Sequence, residues 1–496
     1  MFVQEYTYFA MNYNDYDKVL TSKGYAIKKS SLSAEQQQFI RQQLTVSPIT
    51  NQKFGGTGSP FCVYFESKER FYLPRHWART NLGPEESSAL PEEHSLPSHI
   101  TFQGKPFDYQ EHIVSTFLDA GANGLICVPC GKGKTFMALY IAYKLKQRFL
   151  VVVDKEFFLQ QWKGEMEAFF PGLRIGILQG TKLETNPEKY DCTICMLQTL
   201  CQKDFPSSTF RSYGFTIFDE CHHLGAAHFS QALLKVQTRY MLGLSATPTR
   251  DDGLSKVFTW YLGDPVYWEK TREADETVQV QVLQYKTNDS AYNVEPVDYK
   301  GDVIMAKLLS QVVECFDRTK KIVEIIEKYA KNDKNRRILV LSERKKHLET
   351  MENLLEKSGL KVGYYIGGMK ADVREESGKE SQVLLATYAM ASEGMNIKTL
   401  NMVILASPRK KVEQSVGRIL RQRVEERTCQ PIIVDVVDSH GLYQGQYRKR
   451  RVFYKTCGYK IVNVGREDTT ELESVDENMG VESEKPVSSC GFVDDD

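Results

Sequence analysis

Five neighbouring residues in the segment FDECHHLG, residues 218–225, could bind a metal ion or move a proton. They are Asp219, Glu220, Cys221, His222 and His223. Two chemistries fit these residue types: a zinc site, or a carboxylate pair that holds a magnesium ion and activates water. Adjacent residues rarely chelate one ion well, and no distant pair has zinc spacing, so the carboxylate pair is favoured. A purely structural Asp-Glu pair is the remaining alternative.

A glycine-rich segment, GLICVPCGKGKTFMALYIAYKL at residues 124–145, runs from an apolar strand through a turn into a helix. This context favours a phosphate loop, in which backbone amides surround phosphates, a lysine reaches the terminal ones and a hydroxyl holds magnesium. The expected ligands are Gly131, Lys132, Gly133, Lys134 and Thr135. Val128 stands where the strict motif has its first glycine. A surface turn that carries GKGKT by chance is the alternative.

The strand FTIFDE delivers the two carboxylates to its carboxyl end, the edge at which α/β sheets bind ligands. It lies about 85 residues after Lys134, which suits a second phosphate motif of the same fold. We expect Asp219 to hold the magnesium ion and Glu220 to orient and deprotonate an attacking water.

Two CxxC pairs could suggest zinc, but neither has the right context. Cys127 and Cys130 fall in the strand and loop that are predicted to bind phosphate. Cys192 and Cys195 fall in one predicted strand at an odd spacing, so their side chains should point to opposite faces of the sheet. A four-cysteine zinc site is therefore not favoured.

The composition is typical of a large globular protein. The chain has 496 residues, 41% hydrophobic and 26% charged, which predicts about two to four domains. No run of about 18 apolar residues offers a membrane span, and the start of the chain lacks the pattern of a secretory signal. Eleven scattered cysteines indicate free thiols in a reducing, intracellular compartment.

Charge is distributed unevenly along the chain. Basic and acidic residues number 64 each, but residues 466–496 hold 11 acidic and 2 basic residues, which leaves a net charge of +9 on the rest. A moderately basic body suits a polyanionic partner. The tail has too few apolar residues to repay ordering, so we expect it to be disordered and dispensable for catalysis.

Short β-branched runs alternate with helical stretches in two series, which predicts an α/β fold with two parallel sheets, each covered by helices. Upstream of them, the segment at residues 81–98 is rich in Pro, Ser and Glu and is expected to be a linker. The predicted domains are an accessory domain at 1–98, a first lobe at 99–272, a second lobe at 273–465 and the acidic tail at 466–496.

Four segments in this order resemble the motifs of superfamily 2 helicases of the DEAD/DEAH-like type. They are the phosphate loop, DECH at 219–222, LSATPTRDDG at 244–253 and QSVGRILRQ at 414–422. The resemblance covers about residues 100–460. It is strongest to the XPB-like and phage UvsW-like branch, including transcript-release helicases of large DNA viruses. It implies two RecA-like lobes with ATP and Mg²⁺ in the cleft between them and a nucleic acid strand across their tops.

The resemblance also implies roles for residues of the first lobe. Gln110 in FDYQEHIV would read adenine, although Tyr109 and Gln110 could simply begin a helix. Ser245 and Thr247 would couple hydrolysis to nucleic acid, although small hydroxyl residues also cap helices. The segment at residues 250–253 resembles a charged motif of XPB-like proteins, with a solvated turn as the alternative.

In the second lobe, the segment ATYAMASEGMN resembles the motif in which Glu393 and Gly394 touch strand backbone and nucleotide. Asn396 replaces the aspartate that is common there. A later segment, YRKRRVFYK at residues 447–455, mixes cations with aromatics. It fits a nuclear-import signal, a nucleic-acid patch, or a terminal helix that packs its aromatic residues on the lobe.

In QSVGRILRQ, the residues Gln414, Arg418 and Arg421 are expected to share one helical face because their spacings are four and three. The resemblance implies that these arginines neutralise charge on the γ-phosphate from across the cleft. An exposed basic helix is the alternative.

The sequence thus predicts a two-lobe ATPase that moves along or remodels nucleic acid duplexes, without choosing between DNA and RNA. The resemblance implies an ATP-dependent helicase or translocase that acts with 3′-to-5′ polarity on DNA duplexes or transcription complexes, with RNA as the alternative partner. Two other classes remain. One is a duplex translocase or annealing factor that hardly separates strands, and the other is a non-enzymatic clamp, against which the intact Lys134, Glu220 and Arg421 argue. If the chain is viral, the host cytoplasm or the virion is the expected location, with the nucleus as the alternative.

Overall fold

The computed structural model describes residues 16–464, with gaps at 50–57, 91–94, 130, 207, 251, 270–273, 394, 396, 421 and 423–425. The predicted acidic tail therefore lies outside the described residues. Among the described residues, no helix combines the length and apolarity that a membrane crossing needs.

The first unit, here called the accessory domain, is a mostly antiparallel sheet with strand order β5-β6-β2-β1-β7, a separate β3-β4 pair and two helices. Its elements are β1 (Lys18–Thr21), β2 (Gly24–Lys28), α1 (Ala34–Gln43), β3 (Thr45–Val46), β4 (Phe61–Cys62), β5 (Phe65–Glu66), β6 (Arg70–Leu73), α2 (Arg75–Leu82) and β7 (Ser87–Ser88). The predicted linker is wrong at its first half, because β7 pairs with β1 and Glu85 forms an ion pair with Arg79. Polar composition did not reveal that backbone pairing.

The second unit, lobe 1, is an eight-stranded sheet in the order β11-β10-β12-β9-β13-β14-β8-β15, parallel except at the β10-β11 edge. Its elements are α3 (Asp108–Asp119), β8 (Asn123–Cys127), α4 (Lys134–Leu145), β9 (Phe149–Val153), α5 (Glu156–Phe169), β10 (Ile175–Gln179), β11 (Lys182–Leu183), β12 (Cys192–Met196), α6 (Leu197–Gln202), β13 (Phe215–Phe218), α7 (Gln231–Lys235), β14 (Tyr240–Ser245), α8 (Ser255–Leu262) and β15 (Pro265–Trp268). The central strands are apolar and fully buried, as helices on both faces require.

The third unit, lobe 2, is a seven-stranded parallel sheet in the order β18-β19-β17-β20-β21-β16-β22. Its elements are β16 (Gln279–Tyr285), α9 (Ser290–Asn293), α10 (Met305–Glu314), α11 (Phe316–Asn332), β17 (Ile338–Ser342), α12 (Lys345–Leu355), β18 (Val362–Tyr365), α13 (Ala371–Glu380), β19 (Val383–Thr387), α14 (Tyr388–Glu393), β20 (Met402–Leu405), α15 (Glu413–Val416), β21 (Ile432–Asp438), α16 (Gly441–Thr456) and β22 (Lys460–Val464). In a parallel sheet all carboxyl ends lie at one edge, so the motif loops that follow the strands gather there.

The accessory domain and lobe 1 share one hydrophobic core. Tyr25 and Trp77 of the accessory domain belong to the same buried cluster as Val257 and Leu262 of α8. Removing one unit would therefore expose the apolar face of the other, so we expect the two to move together.

Arg75 fastens this shared core. Its guanidinium is fully buried and donates to the side chain of Gln237 at 2.9 and 3.1 Å and to the carbonyl of Thr238 at 2.7 Å. Burial lowers the pKa of Arg75 to about 9, which leaves the group charged at neutral pH. The acceptors it satisfies lie in the segment that leads into β14, a central strand of lobe 1.

We predict that Arg75→Ala destabilises the protein by about 1–3 kcal/mol, because buried acceptors lose their donor. Arg41→Ala is the matched control: Arg41 pairs with Glu66 at 2.6 Å, but the arginine side chain is 42% exposed. Surface pairs of this kind contribute about 0–1 kcal/mol. Urea denaturation followed by tryptophan fluorescence measures both, and equal midpoints for the two variants would contradict the anchoring role.

Candidate active site

The phosphate loop lies between β8 and α4 with two glycines in the left-handed region. The φ angles of Gly131 and Gly133 are 91° and 79°, values that favour glycine. A Cβ at Gly133 would also lie 2.5 Å from the side-chain amide nitrogen of Gln110, which would have to move away from the loop. Lys134 and Thr135 begin α4, which aims the amides of its first turn at the loop.

The two carboxylates follow directly after β13, as predicted. Asp219 accepts a 2.8 Å hydrogen bond from the indole of Trp162 through Oδ2 and a 3.0 Å bond from the amide of Glu220 through Oδ1. Glu220 Oε1 lies 3.5 Å from Lys134 Nζ. The φ of Glu220 is 45°, a left-handed conformation that is rare for a residue with a side chain. Such strain gathers at functional sites.

Burial and mutual repulsion set the charges of this pair. Burial and the charge of Glu220 together raise the pKa of Asp219, with Lys134 acting in the opposite direction. For Glu220, burial is more than offset by nearby positive charge, first that of Lys134 and also that of Arg418, so its pKa is lowered. Glu220 Oε2 is buried without a hydrogen-bond partner among the described residues. The site therefore has capacity for a further cation or a donor such as water.

His222 connects the carboxylates to the segment after β14. Its Nδ1 lies 3.4 Å from Glu220 Oε2 and 3.1 Å from Ser245 Oγ, and this hydroxyl accepts a 3.1 Å bond from the amide of Thr247. Burial lowers the pKa of His222 to about 4, so the imidazole is neutral at pH 7. The contact with Glu220 is therefore polar and not an ion pair.

Cys221, His222 and His223, which follow the two carboxylates, contribute packing and polar contacts. Cys221 is fully buried, and burial raises the pKa of its thiol well above the usual value. His223 Nε2 lies 3.6 Å from Asp154. Cys192 and Cys195 fall in two different core clusters, which confirms that they point to opposite faces. In the described part of the chain, no group of three or more candidate ligands could hold a metal ion.

The segment TRDDG is bonded into the protein and is not a solvated turn. Arg250 donates at 2.6 Å to the carbonyl of His222 and pairs with Asp252 at 2.9 and 2.5 Å. The carbonyl of Asp252 in turn accepts a 2.9 Å bond from the amide of Ile49 in the accessory domain. Asp251 lies outside the described residues.

Gln110 lies in the first turn of α3, next to the phosphate loop. Its amide nitrogen donates to the carbonyl of Lys132 at 3.2 Å, and its oxygen accepts a 3.0 Å bond from the amide of Phe107. The Tyr109 hydroxyl reaches the same Lys132 carbonyl at 3.2 Å. These contacts hold the loop and the helix start together, while the adenine role of Gln110 stays a prediction.

Lobe 2 faces this site across a cavity of about 230 Å³ that is lined by Pro129 and Thr247 from lobe 1 and by Gln414 from lobe 2. The prediction that Gln414 and Arg418 share a helix is wrong, because α15 ends at Val416 and the chain continues in turns. Arg418 is 6% exposed and donates to the carbonyls of Ala391 at 2.7 Å and Met395 at 3.1 Å. These bonds tie it to the segment after β19.

Three residues of the predicted site cannot be placed. Arg421, Gly394 and Asn396 lie outside the described residues, so their roles stay predictions.

Two further residues at the site lie outside the motifs that the sequence predicts. Trp162 on α5 supports Asp219 from the side, and Glu269 after β15 pairs with Lys132 at 3.3 Å. A buried indole N–H needs an acceptor, so Trp162 becomes a candidate only once α5 is known to pack on β9 and β12. Glu269 gave no comparable signal.

Two family models match the lobes separately. One, described as the res subunit of type III restriction enzymes, matches residues 103–250, and the helicase conserved C-terminal domain matches residues 317–423. The chain is also 30% identical over 464 residues to "Putative ATP-dependent RNA helicase L396" of Acanthamoeba polyphaga mimivirus, which covers 90% of this chain and 87% of that protein. The chain belongs to the superfamily 2 helicases. This helicase is an ATP-dependent enzyme that binds nucleic acid, and the predicted family and two-lobe α/β fold are confirmed.

Other relatives are also viral. The helicase is 28% identical over 382 residues to "Putative ATP-dependent RNA helicase QP509L" of African swine fever virus, across 72% of this chain and 74% of that protein. It is 26% identical over 362 residues to "Probable helicase D10" of Escherichia phage T5, across 70% of this chain and 76% of that protein.

Among solved structures, the Hef helicase domain of Pyrococcus furiosus superposes with a TM-score of 0.47 at 16% identity, over 70% of this chain and 98% of that one.

We predict that Glu220→Gln binds ATP but hydrolyses it at least about a hundredfold more slowly, because the amide cannot accept a proton from water. Lys134→Ala should instead weaken ATP binding, because it removes the charge that reaches the phosphates. Glu167→Gln, an exposed position on α5, is the control and should match the unmutated rate. Nucleotide affinity and steady-state turnover are measured on the same preparations, and full turnover in Glu220→Gln would refute the assignment.

Proposed function

We propose that this helicase couples ATP hydrolysis to 3′-to-5′ movement along duplex DNA and acts on transcription complexes. The observation that carries the proposal is the bonded path from the carboxylates to the accessory domain. Arg250 donates a hydrogen bond to the carbonyl of His222 and forms an ion pair with Asp252. The carbonyl of Asp252 accepts a hydrogen bond from the amide of Ile49. The segment TRDDG resembles a charged motif of XPB-like helicases, and its position here suits a duplex-tracking machine in which the accessory domain follows the state of the ATP site.

Hydrolysis follows from the residues on lobe 1. Lys134 and the loop amides hold the phosphates of ATP, and Glu220 orients the attacking water and takes its proton. Thr135 and Asp219 would hold Mg²⁺, which when bound supplies positive charge at the phosphates and favours ionised Asp219. Glu220 Oε2 accepts no hydrogen bond among the described residues, which fits such a water. Burial and the charge of Glu220 raise the pKa of Asp219, which fits a cation that would stabilise the charged carboxylate.

Coupling to nucleic acid would use the link through His222. A change at Glu220 on hydrolysis alters the contact with His222, and His222 contacts Ser245, which holds the amide of Thr247. Thr247 lines the cavity between the lobes, so this chain of bonds joins the chemistry to the relative position of the lobes.

RNA is the second candidate substrate, because the mimivirus and African swine fever virus relatives are named RNA helicases. Backbone contacts and strand shape dominate binding by such enzymes, so DNA and RNA differ in degree. An inert clamp is disfavoured by the paired Lys134 and Glu220, which a binding module would have no need to bury together.

The deciding experiment compares ATPase rates at one ATP concentration with single-stranded and duplex DNA and RNA, each at the same concentration of nucleic acid residues. We predict the greatest stimulation by duplex DNA, displacement of a triplex-forming strand, and unwinding of substrates with a 3′ overhang only. Ser245→Ala should keep ATP hydrolysis and lose most displacement, while Glu220→Gln controls for contaminating ATPases. Greater stimulation by RNA would reassign the substrate, and triplex displacement without unwinding would favour the translocase or annealing alternative.

A further inference from the structure

Helix α16 presents two opposite faces. The inner face holds Tyr443 and Tyr454, and Arg450 pairs with Asp435 through two 2.8 Å hydrogen bonds. The basic segment at residues 447–455 is thus a helix that packs its aromatic residues on lobe 2. The outer face, here called the α16 basic face, carries four exposed cations: Arg448, Lys449, Arg451 and Lys455.

No acidic side chain compensates this face within the described residues. The sequence from Gly441 to Lys460 contains no Asp or Glu, and none of the four cations forms an ion pair in the described part of the chain. Arg448, Arg451 and Lys455 are three and four residues apart, so like charges meet on one side of the helix. A negatively charged partner would relieve this repulsion.

The chain itself supplies such a partner nearby. After α16 the chain forms the edge strand β22, which ends at Val464, the last of the described residues. The residues that follow, 466–496, hold 11 acidic and 2 basic residues, a net charge of −9. The helix is about 24 Å long at 1.5 Å per residue. An extended chain covers about 3.3 Å per residue, so about seven tail residues span the length of the helix.

We propose that the acidic tail, residues 466–496, docks on the α16 basic face when nucleic acid is absent. Opposite charge provides the attraction, and covalent attachment keeps the tail at high effective concentration. The helix also lines the cavity between the lobes through Phe453 and Thr456, so a docked tail lies beside the cleft. Nucleic acid carries the same sign of charge and would compete with it. The proposal holds for DNA and RNA alike and does not depend on which is the substrate.

A zero-length carbodiimide cross-link tests the docking directly on the full chain, because it joins lysine amines to carboxylates only in contact. At low salt we expect mass spectrometry to find tail peptides joined to Lys449 and Lys455. Saturating nucleic acid or 0.5 M salt should remove these links, since the Debye length falls from about 30 Å at 0.01 M to about 3 Å at 1 M. Lys320 and Lys328, exposed on α11, are the internal controls. Equal cross-linking to those lysines would overturn the proposal.

Combined charge changes in the tail and on the α16 basic face test whether the tail competes with nucleic acid for this face. Neutralising the tail (Glu467→Gln, Glu471→Gln, Glu473→Gln, Asp476→Asn and Glu477→Gln) should tighten binding of a fluorescent oligonucleotide about threefold to tenfold at low salt. The same neutralisation should have no effect once the face is reversed with Arg448→Glu and Lys455→Glu. Reversing Lys320 and Lys328 to Glu on α11 should leave the tail effect intact. If the tail and face effects simply add, nucleic acid is the only occupant of the face and the proposal fails.

Discussion

Two adjacent carboxylates at the end of β13 lie where water has little access, and both can stay charged only if positive charge surrounds them. Lys134 supplies the first cation, 3.5 Å from Glu220. The indole of Trp162, the left-handed backbone of Glu220 and the nearby Arg418 of lobe 2 are arranged around the same pair. Because Lys134 lies on lobe 1 and Arg418 on lobe 2, we expect the site to be completed only when the lobes approach each other.

Other contacts join further elements firmly to each of the two lobes. The accessory domain shares a core with lobe 1 and is bonded to it through Arg75, so we expect it to move together with the phosphate loop. On the other side of the cleft, α16 belongs to lobe 2 and is fixed by the buried pair of Arg450 and Asp435. The helicase therefore consists of lobe 1 with the accessory domain and lobe 2 with α16, and the predicted ATP site lies between the two lobes. The proposed docking of the tail would add a charge-dependent control on the second body.

Much of the fold and of lobe 1's site followed from the sequence. The apolar runs that end in a glycine loop or in Asp219 are local patterns, and a parallel sheet must gather their carboxyl ends at one edge. What failed was non-local. Ser87 and Ser88 form a strand only because β1 offers them an edge, and α15 ends at Val416 where helical spacing predicted that it would continue. Trp162 and Glu269 reach the site from elements whose packing no spacing encodes.

We expect arginines of lobe 2 to complete the ATP site, and substitution of Arg421 tests this expectation most directly. Arg421→Ala should bind ATP nearly normally, because lobe 1 holds the nucleotide, yet turn over about 10³–10⁵-fold more slowly with saturating nucleic acid. Arg418→Ala should share this defect, and the double variant should lose little more than the worse single one. Arg427→Ala is the control, because Arg427 lies six residues after Arg421 and forms an ion pair with the distant Asp275. Unchanged turnover in both the Arg418 and Arg421 variants would contradict the account.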